Sequence, residues 1–412
     1  MNYKVLAAIG LGAFLQFYNV YLVSYFVVIL LEYFFPATHG TFFYIVSLIA
    51  WVIIRPLSSF YFGPRGDRKS RKNMLVLSMM LMAIATFLIG FIPSESQIGI
   101  VATILLIFFL FVQGFAFGGE YGGAVSLLIE YAPSHKRGLY ASWAFFTSFL
   151  GILFVTLMTS WFYAIFSNEF MSTWGWRILF LFGIVLALPA VYLRTSIPDS
   201  PAFLKITPLK KPMKHLFSDH GKELLLGIGI CIGPAVTAGF HFDFLSVFLI
   251  DFVGLTTELT FLLLAFTTVV FLLFVPIMGA TSDKLGRKIV FFWGALATAT
   301  LAWPLFQLIH YIHPIFTVVI LFFYGFFAAC MYGPFGSFLG ELFPTKVRYS
   351  GFALSSNIGV GIFEAVIPMI ALYTIRYFDL YISSILVTIA CLITVLCLYF
   401  SKETAFEALK EG

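Results

Sequence analysis

The sequence predicts an all-α membrane protein of twelve transmembrane helices in two pseudo-symmetric six-helix bundles, and three observations carry that prediction. The 412 residues are 61% hydrophobic and 10% charged, with a mean hydropathy of +1.00, whereas a soluble globular chain is about 25% charged. The apolar residues fall into long runs separated by short polar breaks, and two polar motifs of the first half return in the second at nearly one offset.

A hydrocarbon layer about 30 Å thick takes roughly 20 apolar residues per helix. Such runs cover 7–31, 41–62, 73–92, 98–129, 138–166, 174–193, 223–250, 257–281, 287–309, 314–340, 348–375 and 380–400. A membrane β-barrel would show short alternating segments instead. The first run follows Lys4, as the apolar run of a secretory signal does, but it continues through Phe17, Tyr18 and Tyr21 with no small-residue cleavage site. It reads as an uncleaved first helix. Cys231, Cys330, Cys391 and Cys397 lie in apolar runs without CxxC spacing or a nearby His. They read as buried, reduced and structural, and neither metal nor cofactor is expected.

With both termini cytoplasmic, all but three of the 24 Lys and Arg (Arg55, Arg177 and Arg376) fall on inner segments, as the positive-inside rule requires. The outer loops carry Glu32, Glu95, Glu169, Asp251, Glu258 and Asp379. The net charge of +5 therefore reflects topology and calls for no nucleic-acid partner.

The repeat divides the chain. GPRGDRKSRK at 63–72 and GATSDKLGRK at 279–288 share Gly63/Gly279, Asp67/Asp283, Arg71/Arg287 and Lys72/Lys288, and EYAPSHKR at 130–137 returns as ELFPTKVR at 341–348. Two motifs at offsets of 216 and 211 residues indicate homologous halves. We expect a first bundle over 1–193, a Pro- and Lys-rich cytoplasmic linker over 194–222, and a second bundle with a short tail over 223–412. Two such bundles around a midplane site are the architecture of secondary transporters. No nucleotide-binding loop suggests a primary pump, and no nucleophile–base pair or metal cluster suggests an enzyme.

RPLSSFYFGPRGDRKSRK, QGFAFGGEYGGA, EYAPSHKRG, WGWRILF, PDSPAF and GELFPTKVRYSG resemble the major facilitator superfamily, and within it the metabolite:proton symporter branch, whose members carry proline and betaine, 2-oxoglutarate or shikimate. The resemblance spans almost the whole chain. It implies that Asp67 meets the N-terminal end of a helix of the other half, where a negative charge suits the helix dipole. It further implies a gating network in which Arg71, Glu130 and Arg137 join Asp67, repeated by Asp283, Arg287, Glu341 and Arg348. Topology alone would explain Lys69, Lys72 and Lys136, but not Asp67 and Asp283.

An ionisable group at the bilayer centre costs roughly 2.5–3.5 kcal/mol on insertion scales, so each is a functional candidate. Arg55, Glu120, His241, Asp243 and Glu364 qualify. Arg55 and Glu120 either pair with each other or bind substrate. Gln113, Phe117 and Glu120 share one face of helix 4, as Asn357, Gly361 and Glu364 do in helix 11, and both faces are expected to look into a cavity. His241 and Asp243, two residues apart, point about 200° from each other unless the helix is broken, and Gly233, Pro234 and Gly239 make a break plausible. Tyr18 and Tyr332 lead the aromatic candidates for a substrate ammonium, ahead of Tyr121 and Tyr324.

Many members of that branch read E-[WF]-[YF]-D in helix 1 and R-x-x-Q-G in helix 4. Here Gln16, Asn19 and Leu110 stand at the two acids and the arginine. Carboxamides keep hydrogen-bonding capacity but do not titrate near neutrality, so any proton coupling would pass to Glu120, Asp243, His241 or Glu364. The expected function is import of a small polar metabolite, an amino acid, betaine or organic acid, across a bacterial inner membrane by alternating access, proton-linked through these acids. A proton-independent facilitator or exchanger is the alternative, and a non-transporting membrane sensor is disfavoured. The expected substrate-binding set is Gln16, Tyr18, Asn19, Arg55, Gln113, Glu120, Tyr332 and Asn357. The partners are then substrate, protons and lipid, with a monomer as the working unit.

Overall fold

The computed structural model describes residues 3–35, 40–311, 314–377 and 380–411; Asp379, expected in an outer loop, lies outside them. Among the described residues twelve long helices follow one another. The first half holds α1 (Tyr3–Tyr25, continued by Val27–Phe34), α2 (Gly40–Arg68), α3 (Arg71–Ile89), α4 (Ile100–Tyr131), α5 (Arg137–Ile165) and α6 (Trp176–Thr195). The second holds α7 (Gly221–Gly239), α8 (Thr257–Leu285), α9 (Arg287–Tyr311), α10 (Pro314–Leu342), α11 (Arg348–Tyr377) and α12 (Leu380–Phe400). Ten are long and apolar enough to cross a membrane by length and composition, and α2 and α9 complete the twelve. Between Thr195 and Gly221 lie a 3-10 turn, Phe203–Lys205, and a short helix, Pro212–Asp219.

Local chemistry sets the boundaries. The Ser70 hydroxyl caps α3 by accepting from the Asn73 N–H at 3.0 Å, and Thr256 caps α8 through Leu259 N–H at 3.3 Å. Gly286, at φ 107°, makes the tight link from α8 to α9 that a side-chain-bearing residue resists. Beyond Gly239, α7 leaves regular geometry and passes through π turns at Phe240–Phe244 and Phe248–Phe252. Such wide turns are rare and cluster at functional sites.

The two halves pack alike. α1 lies on α5 and α6, and α3 on α4 and α6; correspondingly α7 lies on α11 and α12, and α9 on α10 and α12. The bundles meet where α2 packs on α11 and α5 on α8 and α10. Large apolar side chains such as Phe108, Leu157, Leu188, Leu262 and Leu273 are exposed around the outside, where a bilayer replaces water as the solvent. All four cysteines are free thiols; three are buried and Cys397 is half-buried.

Candidate functional site

At the end of the bundles that carries the repeated motifs, each half clasps the other. The Asp67 carboxylate accepts from the N–H groups of Tyr349 and Ser350, at 3.1 and 2.9 Å, in the first turn of α11. The Asp283 carboxylate accepts from Gly138 and Leu139, at 2.8 and 2.9 Å, in the first turn of α5. A negative charge thus sits on the positive end of a helix of the opposite bundle, twice over. The glycine one turn earlier makes this approach possible: a Cβ on Gly63 would lie 2.8 Å from the Ser350 Cα, and one on Gly279 would lie 2.8 Å from the Gly138 carbonyl oxygen.

The glutamates complete the clasp. Glu130 receives Arg71 from its own bundle, Arg348 from the other, and the Ser200 hydroxyl. Glu341 receives Arg287 Nε at 3.3 Å, Arg137 at 3.7 Å and the Thr404 hydroxyl at 2.7 Å. The network expected within each half is therefore corrected: Arg137 joins Glu341 rather than Glu130, and Arg348 joins Glu130 rather than Glu341. In each E-x-x-P-x-x-x-R motif the proline follows the helix end, and the arginine starts the next helix, whose N-terminus packs on the other bundle. The tail adds to the clasp. Glu403 accepts from the N–H groups of Arg287 and Lys288 at 2.9 and 3.0 Å, and the Glu407 carbonyl accepts from Arg137 at 2.9 Å. The Lys410 carbonyl accepts from Thr345 N–H at 2.8 Å.

Beyond the clasp, a narrow cavity of about 40 Å³ lies between the bundles. The Asn357 side chain closes its near end by donating to the Gly118 carbonyl at 2.7 Å and to Ser59 at 2.9 Å, across the interface. Above it Arg55 of α2 faces Glu364 of α11 at 3.8 Å, and its guanidinium carbon lies 4.3 Å from the centre of the Phe117 ring. Arg55 Nε has no hydrogen-bond partner. Phe17, Tyr121, Phe145, Phe149 and Tyr332 supply the walls. At the far end the rings of Tyr21 and Phe242 meet at 5.5 Å, and Asp243 is exposed beside them.

Of the expected substrate-binding residues, Arg55, Tyr332 and Asn357 line this cavity, and Glu364 joins them. Gln16, Tyr18, Asn19, Gln113 and Glu120 do not: they face the interior of the first bundle. Gln16 donates to the Phe117 carbonyl at 3.0 Å, Tyr18 to the Leu179 carbonyl at 2.8 Å, and Gln113 to Thr86 at 2.7 Å. Asn19 is fully buried where α1 meets Gly183 of α6. The face of α1 turned to the second bundle instead carries Phe17 and Tyr21. Of the two readings of Arg55 and Glu120, pairing with each other or binding substrate, the mutual pair does not form: Arg55 faces Glu364. Glu120 binds Arg194 of α6 and accepts from Ser78 at 2.8 Å, and Arg194 further donates to the carbonyls of Ala8 and Leu75 at 3.1 and 3.0 Å. In an apolar medium a polar group settles on the nearest partner, and for these residues that partner lies in their own bundle. Sequence reasoning passed over Arg194, Ser200 and Thr404; the PDSPAF motif was the available signal for Ser200.

His241 and Asp243 point apart, as their spacing predicts. The His241 ring lies 2.9 Å from the Thr268 hydroxyl in α8, while Asp243 is exposed. Outside the membrane, in the linker, a hydrogen bond from Ser218 holds the Asp219 carboxyl below its ordinary range, with His215 at 2.5 Å.

Relatives place this geometry. The Inner membrane metabolite transport protein YhjE of Escherichia coli strain K12 is 32% identical over 428 residues, covering 98% of this chain and 95% of YhjE. The Glycine betaine/proline/ectoine/pipecolic acid transporter OusA of Dickeya dadantii strain 3937 is 30% identical over 430 residues, covering 99% of this chain and 84% of OusA. In fold, the chain is similar to the proton:xylose symporter XylE from E. coli, solved with 6-bromo-6-deoxy-D-glucose, with a TM-score of 0.76 over 99% of this chain and 98% of that one at 19% identity. The sequence profile described as Major Facilitator Superfamily matches residues 9–359 and 257–411. Those residues run through both bundles and both copies of the clasp, and the chain therefore belongs to the Major Facilitator Superfamily, as a multi-pass membrane transporter of small solutes.

Proposed function

We propose that the chain imports a small zwitterion, an amino acid or betaine, across the inner membrane by rocking a first bundle (1–193) against a second (223–412) joined by the 194–222 linker, with both termini cytoplasmic. The observation that carries this reading is the Arg55–Glu364 pair, opposite charges supplied by opposite bundles to one aromatic-walled cavity. At 3.8 Å and an effective dielectric constant of about 20, their attraction is roughly 4 kcal/mol. A zwitterion replaces that single contact by two, its carboxylate on Arg55 in the first bundle and its ammonium on Glu364 in the second. Substrate then ties the bundles together and favours closure around itself. Tyr121 and Tyr332 offer ring faces to an ammonium. The relatives' names agree with this class, since OusA carries betaine and proline.

Asp67, Arg71, Glu130, Arg137, Asp283, Arg287, Glu341 and Arg348 form the cytoplasmic gate in this reading, closed here. Glu120 is bound by Arg194, which leaves Glu364, Asp243 and His241 as the groups through which a proton would couple. Proteoliposome uptake of labelled proline, glycine betaine, neutral amino acids and 2-oxoglutarate tests the class. Zwitterion uptake that is lost in Arg55→Gln and Glu364→Gln supports it, and uptake of 2-oxoglutarate alone would sink it. Proton linkage shows as collapse of uptake with a protonophore; persistent uptake and counterflow favour a facilitator or exchanger.

A further inference from the structure

The charges around the central cavity do not balance. Arg55 and Glu364 answer each other at 3.8 Å, but Asp243, exposed on the first π turn of α7, has no ion pair among the described residues. The charged group that acts on it is Glu364, another acid, and His241 of the same turn faces away, to Thr268. A carboxylate turned to hydrocarbon without a partner is costly, so the exposure of Asp243 is to water.

Its place is fixed by its neighbours. A Cβ on Gly239 would strike the Glu364 carbonyl and lie 2.6 Å from Pro368 Cγ, so this face of α7 rests on α11 at the level of Glu364. Asp243 follows about one turn, or roughly 5.4 Å, farther from the clasp. The adjacent Phe242 meets Tyr21 of α1 at 5.5 Å, and Tyr21 lies in the fields of both Glu364 and Asp243. Tyr21, Asp243 and Glu364 therefore stand together where the cavity ends away from the clasp.

The arginine completes the account. Arg55 is 6% exposed, its Nε has no partner, and its guanidinium donates no hydrogen bond among the described residues. One buried cation short of acceptors and two carboxylates suit a ligand with one negative and two positive charges. The space agrees: the cavity is narrow, about 40 Å³, and Asn357 bridges its near end, so a ligand's side chain can extend only away from the clasp, toward Asp243. Among the described residues that end of the bundles carries Glu32, Glu95, Glu169, Asp251 and Glu258 against Arg177 and Arg376, and Arg177 is occupied by the carbonyls of Gly90 and Ile92. The positive-inside rule keeps Lys and Arg from that end but does not require acids there. Such a field draws cations.

We propose that the transported zwitterion is a basic amino acid, with its carboxylate on Arg55, its α-ammonium on Glu364 and a side-chain ammonium or guanidinium on Asp243. The inference rests on the zwitterion reading above and adds the side chain to it. A four-carbon stem such as that of lysine spans the one helical turn from Glu364 to Asp243.

L-lysine against L-norleucine, which has the same carbon chain without the amine, tests it on the purified full-length protein, with affinity taken from the concentration dependence of thermal stabilisation. Lysine is expected to bind about tenfold tighter, the size of one charge-assisted hydrogen bond. Asp243→Asn should bring the ratio to within about threefold. Asp243→Glu should keep most of the preference, and Asp251→Asn, which removes another acid of the same segment, should leave it unchanged. A ratio below about threefold in wild type, the same ratio in Asp243→Asn as in wild type, or an equal loss in Asp251→Asn overturns the basic side chain alone. Should Asp243→Asn bind neither ligand, Asp243→Glu decides: a kept preference supports the assignment and a lost one overturns it. If wild type takes glycine betaine but neither amino acid, the assignment falls by itself. If it takes none of the three, the zwitterion reading falls, and this inference with it.

Discussion

Replacing Glu130 by Gln would remove the one carboxylate that stands between Arg71 and Arg348. Both guanidinium groups are fully buried, so the closed clasp would hold two adjacent cations, with Asp67 3.6 Å from Arg71 and the more distant Glu341 acting on Arg348 to compensate in part. Breaking a buried pair by removing one partner costs about 3–5 kcal/mol. Arg348 belongs to the second bundle, so opening the clasp lets it hydrate, and the cost of its lost pair falls on the closed state only. The equilibrium should move toward cytoplasmic opening by roughly two to three and a half powers of ten. Glu120→Gln is the matched control: Glu120 and Arg194 both lie in the first bundle, and their contact does not depend on the bundles' relative position. The assay is labelling of Ser356→Cys, which lines the central cavity, in a chain whose native cysteines are replaced. An impermeant maleimide is applied to inside-out and right-side-out vesicles. Glu130→Gln should raise labelling from the cytoplasmic face and lower it from the other, and adding Arg348→Gln should partly reverse the shift. Unchanged labelling, or an equal shift in Glu120→Gln, would refute the reasoning.

Gly279→Val places a side chain against the Gly138 carbonyl oxygen, 2.8 Å from the new Cβ, and should block closure. Uptake is expected to be lost with expression retained, and Ser356→Cys should label from the cytoplasmic face. Deleting residues 403–412 strips partners from Arg137, Arg287, Thr345 and Glu341; we expect a lower thermal midpoint and the same inward shift, weaker than in Glu130→Gln. Asn19→Asp puts an unpaired acid at a fully buried site with Leu110 still in place of a cation. It should lower the thermal midpoint by several degrees and leave the pH dependence of uptake unchanged, and a new pH dependence would contradict the placement of Asn19 inside the first bundle.

The twelve helices, the mirrored halves and the clasp residues were legible before any coordinates, because each is written locally. Length and hydropathy specify a span, a repeated motif specifies a repeated structure, and the resemblance to a known family implied where the two aspartates would lie. Gln16 and Asn19 show where local signals end. Their spacing correctly puts them on one face of α1, but nothing in the spacing says that Phe17 and Tyr21 have the face turned to the other bundle. Partner choice failed in the same manner for Arg137, Arg348, Glu120 and Arg55: each charge was recognised, while its counter-charge depended on crossings between helices up to 309 positions apart, as for Arg55 and Glu364. Helical periodicity fixes direction around one axis, and only the packing of the bundles decides what lies in that direction. The sequence by itself therefore determined the membrane fold and where its charged motifs stand along the chain. The tertiary structure decided which of them meet, because in an apolar medium a charge must be paired and the available partner is set by geometry alone.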